Sequence, residues 1–485
     1  MLTPEEIKKY IDDDTASAKK KHARTGQRYY EGNHDIRQYK MYFFDADGKL
    51  KEERIRSNIK ITHPFFTELV DQEAQYMLSG KDGFIKSDDP NLQTLLDEYF
   101  NENENFMAAL YDVITGCIVK GFEYIYAYKN EDGRISFECA DSLHVVEVKE
   151  KPTDETCQYV IYWRNEYNSR EKKSVKRIEV WDKQFRYFFV QEGNGAIQED
   201  KKRRPMLHSV YTDGADESTH AESFGFIPFF RLDNCSKQHS GLKPIKDLID
   251  DYDLMACGLS NNIQDTNESL YVVKGFKGNL DEMMHNMRAK NHINIPVDGD
   301  VDIKTLDIPY EARKEKLELD EKSIYRFGMG FNSAQVGDGN ITNVVIKSRY
   351  ALLDLKCNKL EIRLKQFLRK LLKVVLEEIN AERGTEYAQK DVYFDFERET
   401  MANAADNAQI ELAEAQTRQT EINTLLNLRE VIDNETMMKL ICEQLDIDYD
   451  DIKSKLPKEE GTPVPTAPAK AALKQLPPED GDMSA

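Results

Sequence analysis

Four short strings carry side chains that could do chemistry. His34-Asp35 sets an imidazole beside a carboxylate, the raw material of an acid–base or metal site. Asp250-Asp251-Tyr252-Asp253 concentrates three carboxylates that could hold a hard cation. Asp45-Ala46-Asp47-Gly48 opens like a calcium-binding loop, and Gly328-Met329-Gly330 like part of a dinucleotide fingerprint. None of the four is completed. The His-Asp pair stands alone in a loop, where a structural role outweighs catalysis. Adjacent acids on a helix point apart, which favours a solvated acidic face over a chelate. The Asp45 string lacks its closing Glu and the next odd-position ligand, so it reads as a turn. The Gly-Met-Gly string follows a charged helix rather than a strand and lacks a third glycine. Walker A, nucleophile-elbow and HExxH strings are missing altogether. These residues predict no catalytic centre, no metal and no cofactor.

The elements that would position such residues are long and mostly helical. Phe331-Asn332-Ser333-Ala334-Gln335-Val336-Gly337-Asp338-Gly339 is a polar, glycine-bearing loop, and from Asn340 to Arg383 no Gly or Pro follows. An uninterrupted helix over those residues would span about 66 Å at 1.5 Å per residue. Between Val344 and Lys373 it holds nine Lys or Arg against Asp354 and Glu361 alone. That strip reads either as DNA-facing or as paired with acidic neighbours, those of another subunit included. Leu352, Leu353, Leu360, Leu364, Phe367 and Leu371 favour packing as the helix's main role.

Upstream, residues 1–30 are charged and helical, and Tyr39–Arg56 forms a hairpin about the Asp45 turn. Phe65–Leu78 has helical apolar spacing, as does Phe106–Lys120. Strands are expected at Glu123–Lys129, Arg134–Cys139, Tyr159–Arg164, Ser174–Trp181 and Phe185–Val190, with Ser218–Gly225 a polar loop. From Lys243 to Glu268 an apolar stripe runs beside Asp247, Asp250, Asp251, Asp253 and Asp265. A small α/β insertion, Leu270–Lys274 to Asp302–Leu306, follows and is returned by a charged helix over Tyr310–Phe327. Asp391–Phe396 reads as a strand and Asn403–Lys455 as acidic helices restarting at Asp433. The last thirty residues hold six of fifteen prolines and no aromatic, the composition of a disordered tail.

With 485 residues, a net charge of −21 and 32% charged residues, the chain is a polar, multidomain protein. The charge argues against a sequence-specific duplex binder, which needs a basic footprint. It does not exclude a protein that handles DNA without gripping it. The seven cysteines are scattered singly, as expected for reduced thiols in cytoplasm. No apolar run is long enough to span a membrane, and the first residues lack a signal-peptide pattern.

Several strings, in order, carry a resemblance. They are Tyr30-Glu31-Gly32-Asn33-His34-Asp35-Ile36, Asn58-Ile59-Lys60-Ile61, Leu69-Val70-Asp71 with Tyr76 and Gly80-Lys81, and Phe226-Ile227-Pro228. Gly241-Leu242, Pro244-Ile245, Leu248-Ile249-Asp250 and Tyr252-Asp253 complete the series. Over residues 25–455 the chain resembles the portal proteins of tailed bacteriophages, of the kind found in long-tailed phages of Gram-positive hosts. Asp82 departs from the proline common at its position.

The resemblance implies an α+β, mostly helical portal fold with wing, stem, clip and crown, and a long central helix preceded by a tunnel loop. Residues 1–240 would be the wing, 241–268 the first stem helix, 269–309 the clip and 310–329 the second stem helix. Residues 330–343 would be the tunnel loop, 344–402 the long helix and a strand, 403–455 the crown and 456–485 the tail. It further implies a homo-oligomeric ring, usually of about twelve subunits, at the capsid vertex of the virion, assembled in the host cytoplasm. Double-stranded DNA would pass through it without sequence specificity. The implied partners are the terminase large subunit, a head–tail adaptor, and the major capsid and scaffold proteins, with no membrane. Such a ring would carry a charge of about −250, and acids lining its bore would repel phosphate rather than hold it. The expected DNA-facing residues are Gln335, Val336, Gly337, Asp338, Gly339, Asn340, Ile341 and Thr342, with Asp247, Asp250 and Asp251 as possible lining acids. Two rival readings remain: a ring-forming head–tail adaptor or other capsid component that does not gate DNA, and a metal-dependent nuclease using His34 and Asp35.

Overall fold

The computed structural model describes residues 1–45, 47–53, 56–80, 83–151, 154, 156–168, 173–212, 219–265, 270–274, 300–304, 310–332, 343–398, 404–427 and 434–444. They belong to two units, Met1–Met401 and Ala402–Ala485. In the first, Thr3 starts helix α1 (Pro4–Ala16) with a capping box: its hydroxyl accepts from the Glu6 amide, and its own amide donates to the Glu6 carboxylate at 2.8 Å. Ser17 ends α1 and caps α2 (Ala18–Tyr30), which breaks the expected helical stretch in two. The hairpin follows as β1 (Tyr42–Phe44) and β2 (Leu50–Glu52), with Phe44 opposite Leu50. Asp45 Oδ1 accepts from the amides of Asp47 and Lys49 at 3.0 and 2.8 Å, so this carboxylate builds the turn.

Helix α3 (Phe65–Met77) buries Phe66, Leu69, Val70 and Ala74, the stripe that spacing marks. Strand β3 (Ile85–Lys86) leads to α4 (Pro90–Leu96), a π-helical turn at Asp97–Asn101, and α5 (Glu104–Lys120). Gly121 closes α5 at φ 92°, where a Cβ would lie 2.3 Å from the Gln238 carbonyl. Strands β4 (Phe122–Lys129) and β5 (Ile135–Ala140) pair as a hairpin. Next come β6 (Val145–Val148), β7 (Tyr159–Asn168), β8 (Lys173–Trp181), β9 (Phe185–Glu192), β10 (Gln198–Glu199) and β11 (Met206–Leu207). They form one antiparallel sheet in the order β10-β9-β8-β7-β6, with β11 also on β9. Ile7 and Ile11 of α1 seal one of its faces against Ile161, Ile178 and Phe189.

The expected polar loop at Ser218–Gly225 is partly strand. Thr219–Glu222 is β13, antiparallel to β12 (Ser209–Thr212). Thr-His-Ala-Glu buries almost nothing, so its strand state comes from backbone pairing and leaves no apolar alternation to read. Strand β14 (Phe229–Asp233) joins the other edge of β4.

Helix α6 (Lys246–Asp265) precedes β15 (Leu270–Lys274) and β16 (Asp300–Lys304), which pair with each other, and α7 (Tyr310–Gly328) packs back on α6. Helix α8 (Asn343–Arg383) is 41 residues long, about 62 Å of rise. Leu360, Leu364, Phe367, Leu371 and Val375 give it one buried face at i, i+3 and i+4 spacing. That face completes the main core with α3, α4, α5 and β5. The expected strand at Asp391–Phe396 shrinks to β17 (Tyr393–Phe394), paired with β3, because Gln389–Asp391 is a 3₁₀ turn. In the second unit α9 (Ala404–Asn427) and α10 (Asn434–Gln444) pack together.

One ion cluster is buried where α5 meets β4. Lys120 contacts the Glu123 carboxylate and holds Asp141 at 2.7 Å. Burial pushes Glu123 up to about 7 despite the lysine, and the charge of Asp141 adds to the rise. Gly116 makes room for this carboxylate: a Cβ there would sit 2.1 Å from Glu123 Oε2.

Candidate functional site

Helix α6 gathers most of the acids singled out above, and the fold gives nearly every one a partner. Asp250 accepts from the Tyr29 hydroxyl and from Lys246 Nζ at 2.6 Å. Lys246 also holds Asp35 at 2.7 Å, and Arg28 holds Asp35 from the other side at 2.6 Å. Although burial acts to raise Asp35, these two cations keep it low, at about 2. Burial alone would depress Lys246, but its bonds to Asp250 and Asp35 raise it. Asp251 is joined to Lys316 of α7 at 2.5 Å, and Lys316 also binds Asp320. Asp247 is exposed and makes no ion pair among the described residues. The acids therefore do point apart, as helical geometry requires, but only Asp247 matches the expectation of a solvated face.

His34 and Asp35 do not act as a pair. The His34 ring is buried, stacked on Tyr29 at 4.6 Å, and its Nδ1 lies 2.6 Å from Asp253 Oδ2. His63 Nδ1 approaches Asp253 Oδ1 at 2.7 Å, and the His63 amide donates to the same oxygen at 3.0 Å. Burial pushes the Asp253 carboxyl up, yet these hydrogen bonds outweigh it and hold the group below the ordinary carboxylate range. An ionised carboxylate only accepts, so each imidazole donates from Nδ1.

Asp253 is also the first rung of a ladder. The Ile61 amide donates to Cys257 Sγ at 3.2 Å, the Ile59 amide to Asn261 Oδ1 at 2.6 Å and the Ser57 amide to Asp265 Oδ1 at 3.0 Å. Four helical residues rise about 6 Å and two extended residues advance about 6.6 Å. Acceptors spaced by four along α6 thus meet every second amide of the strap 57–63, which runs antiparallel to the helix. The ladder bolts the root of the β1–β2 hairpin and the start of α3 to α6. None of His63, Cys257 or Asn261 stood out in the sequence. The i, i+4 spacing of Asp253, Cys257 and Asn261 was visible, but the strap they bind, which includes His63, lies some 200 residues away in the chain.

The expected DNA-facing loop, Gln335–Thr342, lies outside the described residues, as does the tail from 456. Its near edge is fixed: Gln72 exchanges hydrogen bonds with the Phe331 carbonyl and amide at 2.8 and 3.2 Å, and Phe331 packs on Tyr350. Gly328 and Gly330 lie against Leu69, a packing role for the Gly-Met-Gly string. On α8, Lys356 pairs with Glu73 at 2.8 Å, Lys365 with Glu361 at 2.8 Å and Lys373 with Glu377 at 3.8 Å. Part of the basic strip is therefore neutralised within the chain. Lys359, Arg369 and Lys370 are exposed and make no ion pair among the described residues. No described helix is long and apolar enough to cross a membrane.

Residues 7–448 match the family model described as phage portal protein, SPP1 Gp6-like. The chain belongs to that family of phage portal proteins. It is 26% identical over 392 residues to the portal protein of Bacillus phage SPP1, covering 79% of this chain and 75% of that one. It is 24% identical over 409 residues to the portal protein of Clostridium phage phiCD119, covering 78% and 85%. A solved chain from the neck of a native GTA particle, computed with C12 symmetry, overlaps 78% of this chain and 89% of its own at 12% identity. The TM-score of that overlap is 0.38, too low to say more about this fold.

Proposed function

We propose that the chain closes into a ring of identical subunits at a capsid vertex and forms the channel through which genome DNA enters and leaves. The observation that carries this reading is the family match running through residues 7–448, nearly the whole chain. Portal proteins are virion components that form such rings. In this reading α6 and α7 are the stem pair, residues 269–309 the clip, 330–343 the tunnel loop, α8 the spoke across the wing and 403–455 the crown. The terminase large subunit, a head–tail adaptor, and capsid and scaffold proteins would dock on the ring in turn.

The channel would conduct by repulsion. A bore lined with fixed negative charge offers duplex phosphate no place to settle, and screening confines each repulsion to about 10 Å. Asp247 is the strongest lining candidate, being exposed and without an ion pair among the described residues. Asp250 and Asp251 are largely neutralised by Lys246 and Lys316 and would contribute less. Gln335, Asn340 and Thr342 would touch the duplex through neutral polar groups, with Gly337 and Gly339 allowing the loop to yield.

Negative-stain imaging of the purified protein tests the ring: closed particles with a central hole are expected, and a uniform monomer would sink the proposal. Deleting Gln335–Asn340 tests the gate. Rings should persist while DNA packaging fails, and normal filling by such rings would remove the loop from the mechanism.

A further inference from the structure

The outer face of α8 is at odds with a surface meant for water. From Ser348 to Glu377 one side of the helix stays exposed, and positions 352, 355, 359, 362, 366, 369 and 373 mark it at alternating three- and four-residue steps. Leu352, Leu355 and Ile362 are 42%, 50% and 64% exposed. Single exposed aliphatics need no explanation, but three on one stripe of one helix do. The helix cannot roll to bury them, because its opposite face is filled by the main core. Lys359 lies among these aliphatics, and beyond them the stripe carries Arg369, with Lys370 beside it, and Lys373, which is paired with Glu377.

The charge indicates what covers it. The chain is acidic overall, at −21, and it presents a face of the opposite kind on α5. Glu104, Ala108 and Asp112 are exposed at i, i+4 and i+8, with Glu102 just before the helix. Glu102, Glu104 and Asp112 make no ion pair among the described residues. The small side chain of Ala108 leaves space for a larger aliphatic, and the flanking acids match the cations. Two different, complementary faces on one chain are what a head-to-tail contact needs, and such contacts close into rings when the rotation allows. We infer that the outer face of α8 is an interface with a second copy of this chain, seated on that copy's acidic α5 face. The inference rests on the ring reading and names the surface that builds the ring. Duplex DNA is the weaker occupant, since Leu352, Leu355 and Ile362 gain nothing from phosphate.

Charge exchange tests it. One variant carries Lys359→Glu, Arg369→Glu and Lys370→Glu; the other carries Glu102→Lys, Glu104→Lys and Asp112→Lys. Circular dichroism should find both folded, since all six positions are exposed. Native mass spectrometry should show each variant alone losing rings at least about tenfold, because like charges now face each other. Mixed before assembly, the two should form rings again with the variants alternating. Ile362→Gln, which leaves charge untouched, should weaken rings on its own. Wild-type assembly by either charge variant would overturn the interface while leaving the ring reading intact. Failure of the mixture to recover would exclude α5 as the partner face and overturn it too. Intact rings of the first variant with loss of binding to a random-sequence duplex would assign the stripe to DNA instead. A wild-type protein that forms no ring would sink the ring reading first, and this interface with it.

Discussion

Asp253 and Glu123 are carboxylates withdrawn from water in the same unit, and their surroundings drive them in opposite directions. Asp253 receives two imidazole N–H groups and a backbone amide, with no second carboxylate in contact, and is held below its ordinary range. Glu123 receives Lys120 and backbone amides, but Lys120 is shared with Asp141, whose charge opposes ionisation, and the group rises to about 7. Burial costs both the same kind of desolvation. The donors decide the outcome. At the strap a full set of dedicated donors makes a firm anchor, whereas at the α5–β4 corner a contested lysine makes a group poised near neutral pH.

The most damaging way to break this contrast is Asp253→Ala. It strands the buried His34 imidazole, the half-buried His63 imidazole and the His63 amide, and should cost about 3–5 kcal/mol in chemical denaturation. A loss under about 1 kcal/mol would show that the ladder is not an anchor.

The pH limbs should differ in sign. A depressed carboxylate such as Asp253 contributes stability that is complete above about pH 4 and is lost as pH falls through its folded value. Asp253→Asn should therefore flatten the acid limb of a melting-temperature profile. Glu123 is raised, so the folded state keeps a proton that the unfolded state has released. Stability due to this group falls as pH rises from about 4.5 to about 7, by no more than about 3 kcal/mol. Glu123→Gln should remove that fall, seen as a smaller drop in melting temperature between pH 5 and pH 8 than in the wild type.

Smaller effects sharpen the comparison. Asn261→Ala deletes one rung of the ladder while Asp253 stays, and should cost about 1 kcal/mol, with faster proteolysis near Ser57 as the local readout. Asp251→Ala breaks a half-exposed pair between α6 and α7 while leaving Lys316 on Asp320, and should cost at most about 1 kcal/mol, less still at high salt.

The contrast also separates what was legible in the chain from what was not. Helix α3, α5 and the apolar stripe of α6 follow from spacing, and the length of α8 from its lack of Gly and Pro, signals that act over a few neighbouring residues. Strand β13 escaped notice because its reason for being a strand is the backbone of β12, not its own side chains. The acids of α6 could be placed on one helix by counting. Their fates could not, because Tyr29, His34, His63 and Lys316 lie 65 to 221 positions away.

The sequence by itself determined the order of elements, the acidic balance and, through its ordered strings, membership of the portal family, since these depend on composition and local period. Only the tertiary structure decided which acids are spent on anchoring and which remain open. A carboxylate's charge, and its use to a passing polyanion, depends on the donors that folding brings within about 3 Å of it. By that measure Asp253 belongs to the frame, Glu123 stands near its titration point, and Asp247 is left to the solvent.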